Sequence, residues 1–156
     1  MNEEKKATEI FVNVKVTNKS KNPLPSYACP GDSGMDARAN IINEIQLRPL
    51  ERRLIPTGLY FEIPEGFEIQ VRPRSGMALT RGLTVLNTPG TIDQNYRGEV
   101  GVILINLSSE VQTILPGEKI AQLVLSRVEK ANLEEVEEVN KDTERGDGGY
   151  GHTGRV

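Results

Sequence analysis

The sequence predicts an all-β fold of a single domain, and three features predict it. With 37% hydrophobic residues, no Trp and only 4% aromatics, the core has to be built mainly from Val, Ile and Leu, a bias that favours strands. Short apolar stretches of strand length recur along the chain. Turn signals such as Pro64-Glu65-Gly66 and Pro116-Gly117 separate them at intervals typical of a sandwich or barrel. A jelly-roll-like or barrel-like sheet is therefore expected, and 156 residues suffice for one ordinary core.

The stretch from Ile10 to Val16 reads as the first strand, because Ile10, Val12, Val14 and Val16 alternate with Phe11, Asn13 and Lys15. Pro23, Pro25, Pro30 and Gly31 make the segment from Asn22 to Ser33 a loop. Further strands are expected at Ile41–Leu47, Arg52–Pro56, Leu59–Ile63, Phe67–Val71, Leu83–Leu86, Val100–Leu107, Val111–Leu115 and Ile120–Val128. Ser75–Arg81, with Met77, Ala78 and Leu79 ahead of Gly82, reads as a short helix. The acidic, partly apolar run from Leu133 to Thr143 fits either a half-exposed edge strand or an arm that carries the tail to a site elsewhere, on a neighbouring chain. The expected division is a β-barrel catalytic domain over residues 1–130 and, within the same domain, an arm and glycine-rich lid over 131–156. No period of 20 to 50 residues suggests a repeat architecture.

A net charge of -3 argues against broad nucleic-acid or membrane binding, so any phosphate site has to be local. Cys29 has no internal partner and the first 25 residues show no apolar signal region, which points to a reducing, cytoplasmic setting. No run reaches membrane-spanning length.

Five clusters place polar side chains beside glycines. In Ser33-Gly34-Met35-Asp36-Ala37-Arg38-Ala39 a turn presents one carboxylate, which also suits an ordinary satisfied turn aspartate. In Arg72-Pro73-Arg74-Ser75-Gly76-Met77-Ala78 an arginine and a hydroxyl stand where a helix begins, either to hold an anion or as a plain serine N-cap. The run from Leu86 to Val100 looks like a β-hairpin whose backbone can pair with the edge of a flat base, although its Asp-Gln-Asn is also ordinary turn chemistry. Within it Asp93 can take a proton from water as a general base, and Tyr96 can pack under a sugar. Gln122 is a lone amide in the apolar strand of the fourth cluster, where a structural hydrogen bond is the simpler reading.

The fifth cluster runs from Arg145 to Gly154. Its glycines allow backbone N–H groups to converge on phosphate oxygens, Arg145 offers a fork of donors, and Tyr150 offers a face for a base. A featureless polar end is the alternative. Gly146, Gly148 and Gly151 satisfy the dinucleotide fingerprint by spacing alone, since no strand precedes them.

Some chemistries are excluded by residue count. One Cys and one His cannot supply the ligands of a zinc-dependent base deaminase. A Ser-His-Asp hydrolase would depend on His152 in the tail, a poor place for a rigidly aimed base. The Walker lysine motif is absent.

Taken in order, the five clusters closely resemble the five motifs of the trimeric deoxyuridine triphosphatases (dUTP diphosphatases), a match spanning about Leu24 to Gly154. The resemblance implies a distorted jelly-roll β-barrel assembled as a homotrimer with three sites at subunit interfaces, the tail arriving from a third chain. It implies Mg²⁺ as cofactor and dUTP as the small-molecule substrate. Asp93 matches the base that activates the water attacking the α-phosphorus. Asn87, and the hairpin backbone around Gly90, Thr91, Ile92 and Gly101, match the uracil-reading edge. Tyr96 matches the ring below deoxyribose that excludes a 2'-hydroxyl. Arg74, Ser75, Gly76 and Gln122 match the phosphate-holding residues, and Asp36 matches a carboxylate near the magnesium shell, acting through water. Arg145 would clamp the γ-phosphate, Tyr150 would stack over uracil, and Gly151, His152 and Thr153 would close on the phosphates. Three positions depart from the usual pattern: Tyr150 replaces Phe, His152 replaces Ser, and Ser33 replaces Ala. Two other readings stay open: a deoxycytidine triphosphate deaminase, which shares the fold but lacks the combined Asp93-to-Tyr96 hairpin and full tail, and a nucleotide-binding regulator.

Overall fold

The structure is a computed structural model and describes residues 10–149. Its strands are β1 (Lys15–Asn18), β2 (Met35–Arg38), β3 (Ile45–Leu47), β4 (Arg52–Pro56), β5 (Leu59–Glu62) and β6 (Phe67–Arg72). The helix α1 (Ser75–Arg81) follows, then β7 (Leu83–Val85), β8 (Gly90–Ile92), β9 (Gly101–Asn106), β10 (Gln112–Ile114) and β11 (Lys119–Arg127). All the strand pairs are antiparallel, in the orders β1-β5, β10-β3, β2-β11-β6-β8 and β4-β9-β7. Neighbours in these sheets are mostly far apart in sequence, as the crossing strands of a jelly roll require. The fold is all-β, as the composition predicts.

The core follows from the alternation of side chains along each strand. In β9, Val102, Leu104 and Asn106 point inward and Gly101, Ile103 and Ile105 outward. Val102 and Leu104 join Ile55, Ile69, Val71, Leu83, Val85, Ile114 and Leu123, all nearly inaccessible to solvent. Each such aliphatic side chain contributes about 1.5–3 kcal/mol by leaving water. Asn106 is buried without penalty because its amide donates to the carbonyls of Leu47 at 2.9 Å and Glu110 at 2.7 Å.

Several elements differ from the sequence reading. The first strand is shifted: Val12 and Val14 are half-buried as their alternation predicts, but the ladder forms at Lys15–Asn18, which pairs with β5. Met35–Arg38, expected as a turn, is strand β2, because Ala37 is fully buried and β11 supplies its backbone partners. The hairpin expected between Leu86 and Val100 is not one: β8 pairs with β6, β9 pairs with β4 and β7, and a turn closed by Tyr96 N–H to Asp93 C=O lies between. Strand Ile41–Leu47 is shortened to β3, with Ile42 exposed. The segment 128–149 holds no strand, so the edge-strand reading of Leu133 to Thr143 is replaced by an exposed run in which Leu133, Val136 and Val139 contact water.

The helix matches its predicted bounds. It ends because Gly82 adopts φ +64° and returns its N–H to Ala78, and a side chain there would collide with the backbone of Ser108. No described helix is long and apolar enough to cross a membrane.

Candidate functional site

Asp36, Gln122 and Arg72 form one row across three strands, because the ladders pair Gln122 of β11 with Asp36 of β2 on one side and Arg72 of β6 on the other. Their neighbours Ala37, Leu123 and Val71 are buried, so the row faces outward. Pro73 cannot donate to the ladder, and the chain leaves the sheet through Arg74, the extended N-cap of α1. A cleft of about 420 Å³ opens at this departure, lined by Asp36, Arg72, Arg74, Ser75, Gly76 and Gln122 among others. Three of the sequence clusters thus converge on one surface.

A β-bulge shapes the cleft. Between Lys119 and Ala121 the β11–β2 register slips, so Ile120 and Ala121 are both buried while Lys119 and Gln122 both remain partly exposed. A strict alternation would not turn residues three apart toward one face; the extra residue does. Gln122 is held by Pro73, whose carbonyl accepts from Nε2 at 3.4 Å. It also requires Gly34, since a Cβ there would stand 2.6 Å from Gln122 Oε1.

The carboxylate of the cleft is paired on both sides. Asp36 accepts from Arg74 Nε at 2.9 Å through Oδ1 and from Lys119 Nζ at 2.7 Å through Oδ2. Partial burial works against its ionisation, but the hydrogen bond from Lys119 and the positive charges of Arg74 and Lys119 outweigh this and hold the carboxyl below the ordinary aspartate range. Arg74 also donates Nη1 to the Lys119 carbonyl at 3.3 Å. Ser75 is not an N-cap: Arg74 occupies that position without a capping side-chain bond, and Ser75 lines the cleft. A Cβ on Gly76 would meet nothing within 4 Å, so its backbone is open to a ligand. Lys119, whose Nζ pairs with Asp36, is a residue to which the sequence reading assigns no role. Its signal is the break in alternation at Lys119-Ile120-Ala121-Gln122.

The remaining candidates form a second group that does not line this cleft. Asn87 lies against Gly90, where a Cβ would be 3.3 Å from the amide nitrogen and 3.2 Å from Val71 Cβ. Leu86 N–H donates to the Ile103 carbonyl at 2.9 Å, which brings Asn87 alongside the start of β9 and Gly101. Thr91 pairs with Gln70 and Ile92 with Ile69. Tyr96 rests on Gly98, where a Cβ would be 2.3 Å from the phenol oxygen, and donates its hydroxyl to the Glu99 carbonyl at 3.0 Å. Asp93 is exposed, and its carboxylate makes no hydrogen bond or ion pair with the described residues. One residue beyond the Ile92–Ile69 pair, it stands roughly 13 Å along the sheet from the level of Arg72.

Arg145 is exposed and turns back on its own segment, donating Nε to the Gly148 carbonyl at 2.8 Å. Tyr150, Gly151, His152 and Thr153 lie outside the described residues.

The comparisons with known proteins agree with this geometry. A family model described as dUTPase matches residues 20–154. A "Deoxyuridine 5'-triphosphate nucleotidohydrolase" of Fusobacterium nucleatum subsp. nucleatum is 56% identical over 144 residues, covering 92% of this chain and 98% of its own. One of the same name from Finegoldia magna is 55% identical over 141 residues, covering 90% of this chain and 98% of its own. Among solved structures, a G164S mutant of the Staphylococcus bacteriophage 80alpha dUTPase with dUpNHpp superposes with a TM-score of 0.80 at 26% identity, over 92% of this chain and 99% of that one.

Proposed function

The chain belongs to the dUTPase family, and on that premise we propose that it hydrolyses dUTP to dUMP and pyrophosphate by attack of water on the α-phosphorus. The observation that carries the reading is the contrast between a pre-arranged cationic cleft and an uncommitted carboxylate. Arg74, Ser75, the Gly76 backbone and Gln122 bind and orient the phosphates, and their positions are fixed before substrate arrives, so little reorganisation accompanies the reaction. Asp93 orients the attacking water and takes its proton, the new P–O bond forms, and the bond to the leaving pyrophosphate breaks. The relatives named for this substrate support the reading, because they match nearly the full length of the chain.

Asn87 and the backbone at Gly90, Thr91, Ile92 and Gly101 read the uracil edge in this account, and Tyr96 stacks beneath deoxyribose where a 2'-hydroxyl would collide with its ring. The support for Tyr96 is its fixed ring, pinned between Gly98 and the Glu99 carbonyl. Arg145, Tyr150, Gly151, His152 and Thr153 close over the bound nucleotide and exclude bulk water.

The donor set fits a magnesium ion that arrives on the substrate. Among the described residues there is no group of three ligating side chains, and both oxygens of Asp36 already accept from cations, so Asp36 would meet the ion through water and the substrate would hold it. When bound, Mg²⁺ supplies neutralisation of the crowded phosphate charge.

A homotrimer with shared sites accounts for the separation of Asp93 from the cleft: the cleft of one copy takes Asp93 and the uracil edge of a second and the tail of a third. The outer face of β4-β9-β7 supports assembly, since Leu54 and Leu86 are exposed there on either side of Ile103. Residues 1–130 then form the barrel and 131–156 the arm and lid, in a cytoplasmic enzyme that limits uracil in DNA and supplies dUMP for thymidylate synthesis.

Pyrophosphate release from dUTP, UTP, dTTP and dCTP, with and without Mg²⁺, tests this directly. Release from dUTP alone and only with the metal is expected. Ammonia from dCTP would move the assignment to the deaminase, and silence on all four nucleotides would leave a binding regulator.

A further inference from the structure

Helix α1 carries the cleft residues Arg74, Ser75 and Gly76 at its start, yet packing alone fixes it weakly. Met77 is its single buried residue, and Leu79 is almost fully exposed. Polar braces at both ends do the holding. At the start, Arg74 reaches Asp36 Oδ1 and the Lys119 carbonyl. At the end, Arg81 donates Nε to Gln112 Oε1 at 3.1 Å, and its other two donors go to Glu118 Oε1 and the Thr113 carbonyl. Glu118 Oε2 accepts in turn from the Leu115 N–H at 2.8 Å, closing the turn that leads into β11.

Glu118 and Lys119 are consecutive, so one dipeptide braces both ends of a helix roughly 10 Å long. The guanidinium of Arg81 is a rigid planar fork, and three acceptors on β10 and the turn define its position. We propose that Arg81, acting through Glu118, is a positioning residue for the cleft: the pair sets where α1 presents Arg74, Ser75 and Gly76 to the substrate phosphates. The inference rests on the dUTP reading above.

The test compares kcat and KM for dUTP with thermal stability in Arg81→Gln, Glu118→Gln, the double variant and Arg81→Lys. Asn18→Ala serves as the control, because it removes side-chain hydrogen bonds with Ser20 and the Asn22 carbonyl, none of them on α1, the cleft or the uracil edge. A displacement of about 1 Å in positioning groups costs up to roughly 10²-fold, so each single variant is expected to lose about tenfold in kcat with KM within about threefold of wild type. The double variant should lose no more than either single one, and Arg81→Lys, which keeps the charge but not the fork, should recover only part of the rate. Wild-type kcat in Arg81→Gln or Glu118→Gln overturns the proposal, as do additive losses or an equal loss in Asn18→Ala at matched stability. If Arg81→Gln fails to fold, Glu118→Gln decides by the same criteria. Failure of wild type to release pyrophosphate overturns the dUTP reading itself, a result distinct from an active wild type with indifferent variants.

Discussion

The two halves of the proposed site are built differently within one chain. In the cleft the carboxylate of Asp36 is already paired: Arg74 and Lys119 share it, and Gln122 is fixed by Pro73 and by the space Gly34 leaves. Around Asp93 the backbone is pinned by ladders and turns, but the carboxylate has no partner among the described residues. The difference teaches how a base and a cationic cleft coexist. A carboxylate placed beside Arg74 and Lys119 would simply pair with them, and Asp36 fills that place. On the proposed reading, keeping Asp93 on a separate surface leaves its lone pairs for water until a triphosphate lies between base and cations.

The largest way to break this comparison is at the uncommitted half. Asp93→Asn should lower kcat about 10³- to 10⁴-fold, toward the upper end of general-base effects, while binding of a non-hydrolysable dUTP analogue stays near wild type. Retention of kcat within about tenfold would remove Asp93 from the chemistry. Arg145→Ala comes next. By analogy with arginine fingers it should cost about 10³-fold in turnover and much less in binding, and unchanged turnover would sink the assignment of Arg145 to the γ-phosphate.

Smaller effects probe the pre-arranged half. Gly34→Ala puts a methyl group where Gln122 Oε1 stands, so the side chain has to swing away from Pro73. The barrel should fold normally, because the displaced atom is the end of a flexible side chain, and kcat/KM should fall about tenfold, the worth of one good hydrogen bond. Loss of folding instead of activity would show that Gln122 is structural.

The smallest effect concerns pH. The folded-state pKa of Asp36 is depressed, so its contribution to stability is fully present above the unfolded value and is lost as pH falls through the folded one. Melting temperature should therefore decline below about pH 4 in wild type, and Asp36→Asn should flatten part of that decline. Identical acid profiles for the two proteins would contradict the pairing with Arg74 and Lys119.

Much of this was legible in the sequence because it depends on local rules. Helix α1 has its predicted bounds because Pro73 stops a ladder and Gly82 supplies the left-handed residue that ends a helix. The strand Phe67–Arg72 follows apolar alternation, with Phe67, Ile69 and Val71 on one face, bounded by turn residues. What escaped depends on partners distant in sequence. Met35–Arg38 is too short and too mixed to announce a strand, and only β11, more than 80 residues on, makes it one. The partner of β8 is β6 rather than the nearby β9, a choice set by tertiary packing of Gly90 against Val71 and not by the intervening turn. Lys119 reaches Asp36 beside a bulge, a feature that disguises itself as broken alternation.

The central claim is that the two halves meet between copies of the chain, and mixing two inactive variants tests it most directly. Asp93→Asn and Arg74→Ala, each nearly inactive alone, are co-expressed or refolded together and assayed for pyrophosphate release from dUTP. In a ring where each cleft takes Asp93 from a neighbour, random assortment leaves about a quarter of the sites with both residues intact, so activity should return to about a quarter of wild type. If instead the mixture stays at the level of the separate variants while light scattering shows that mixed assemblies have formed, the cleft and Asp93 act within one chain and the account of a shared site is wrong.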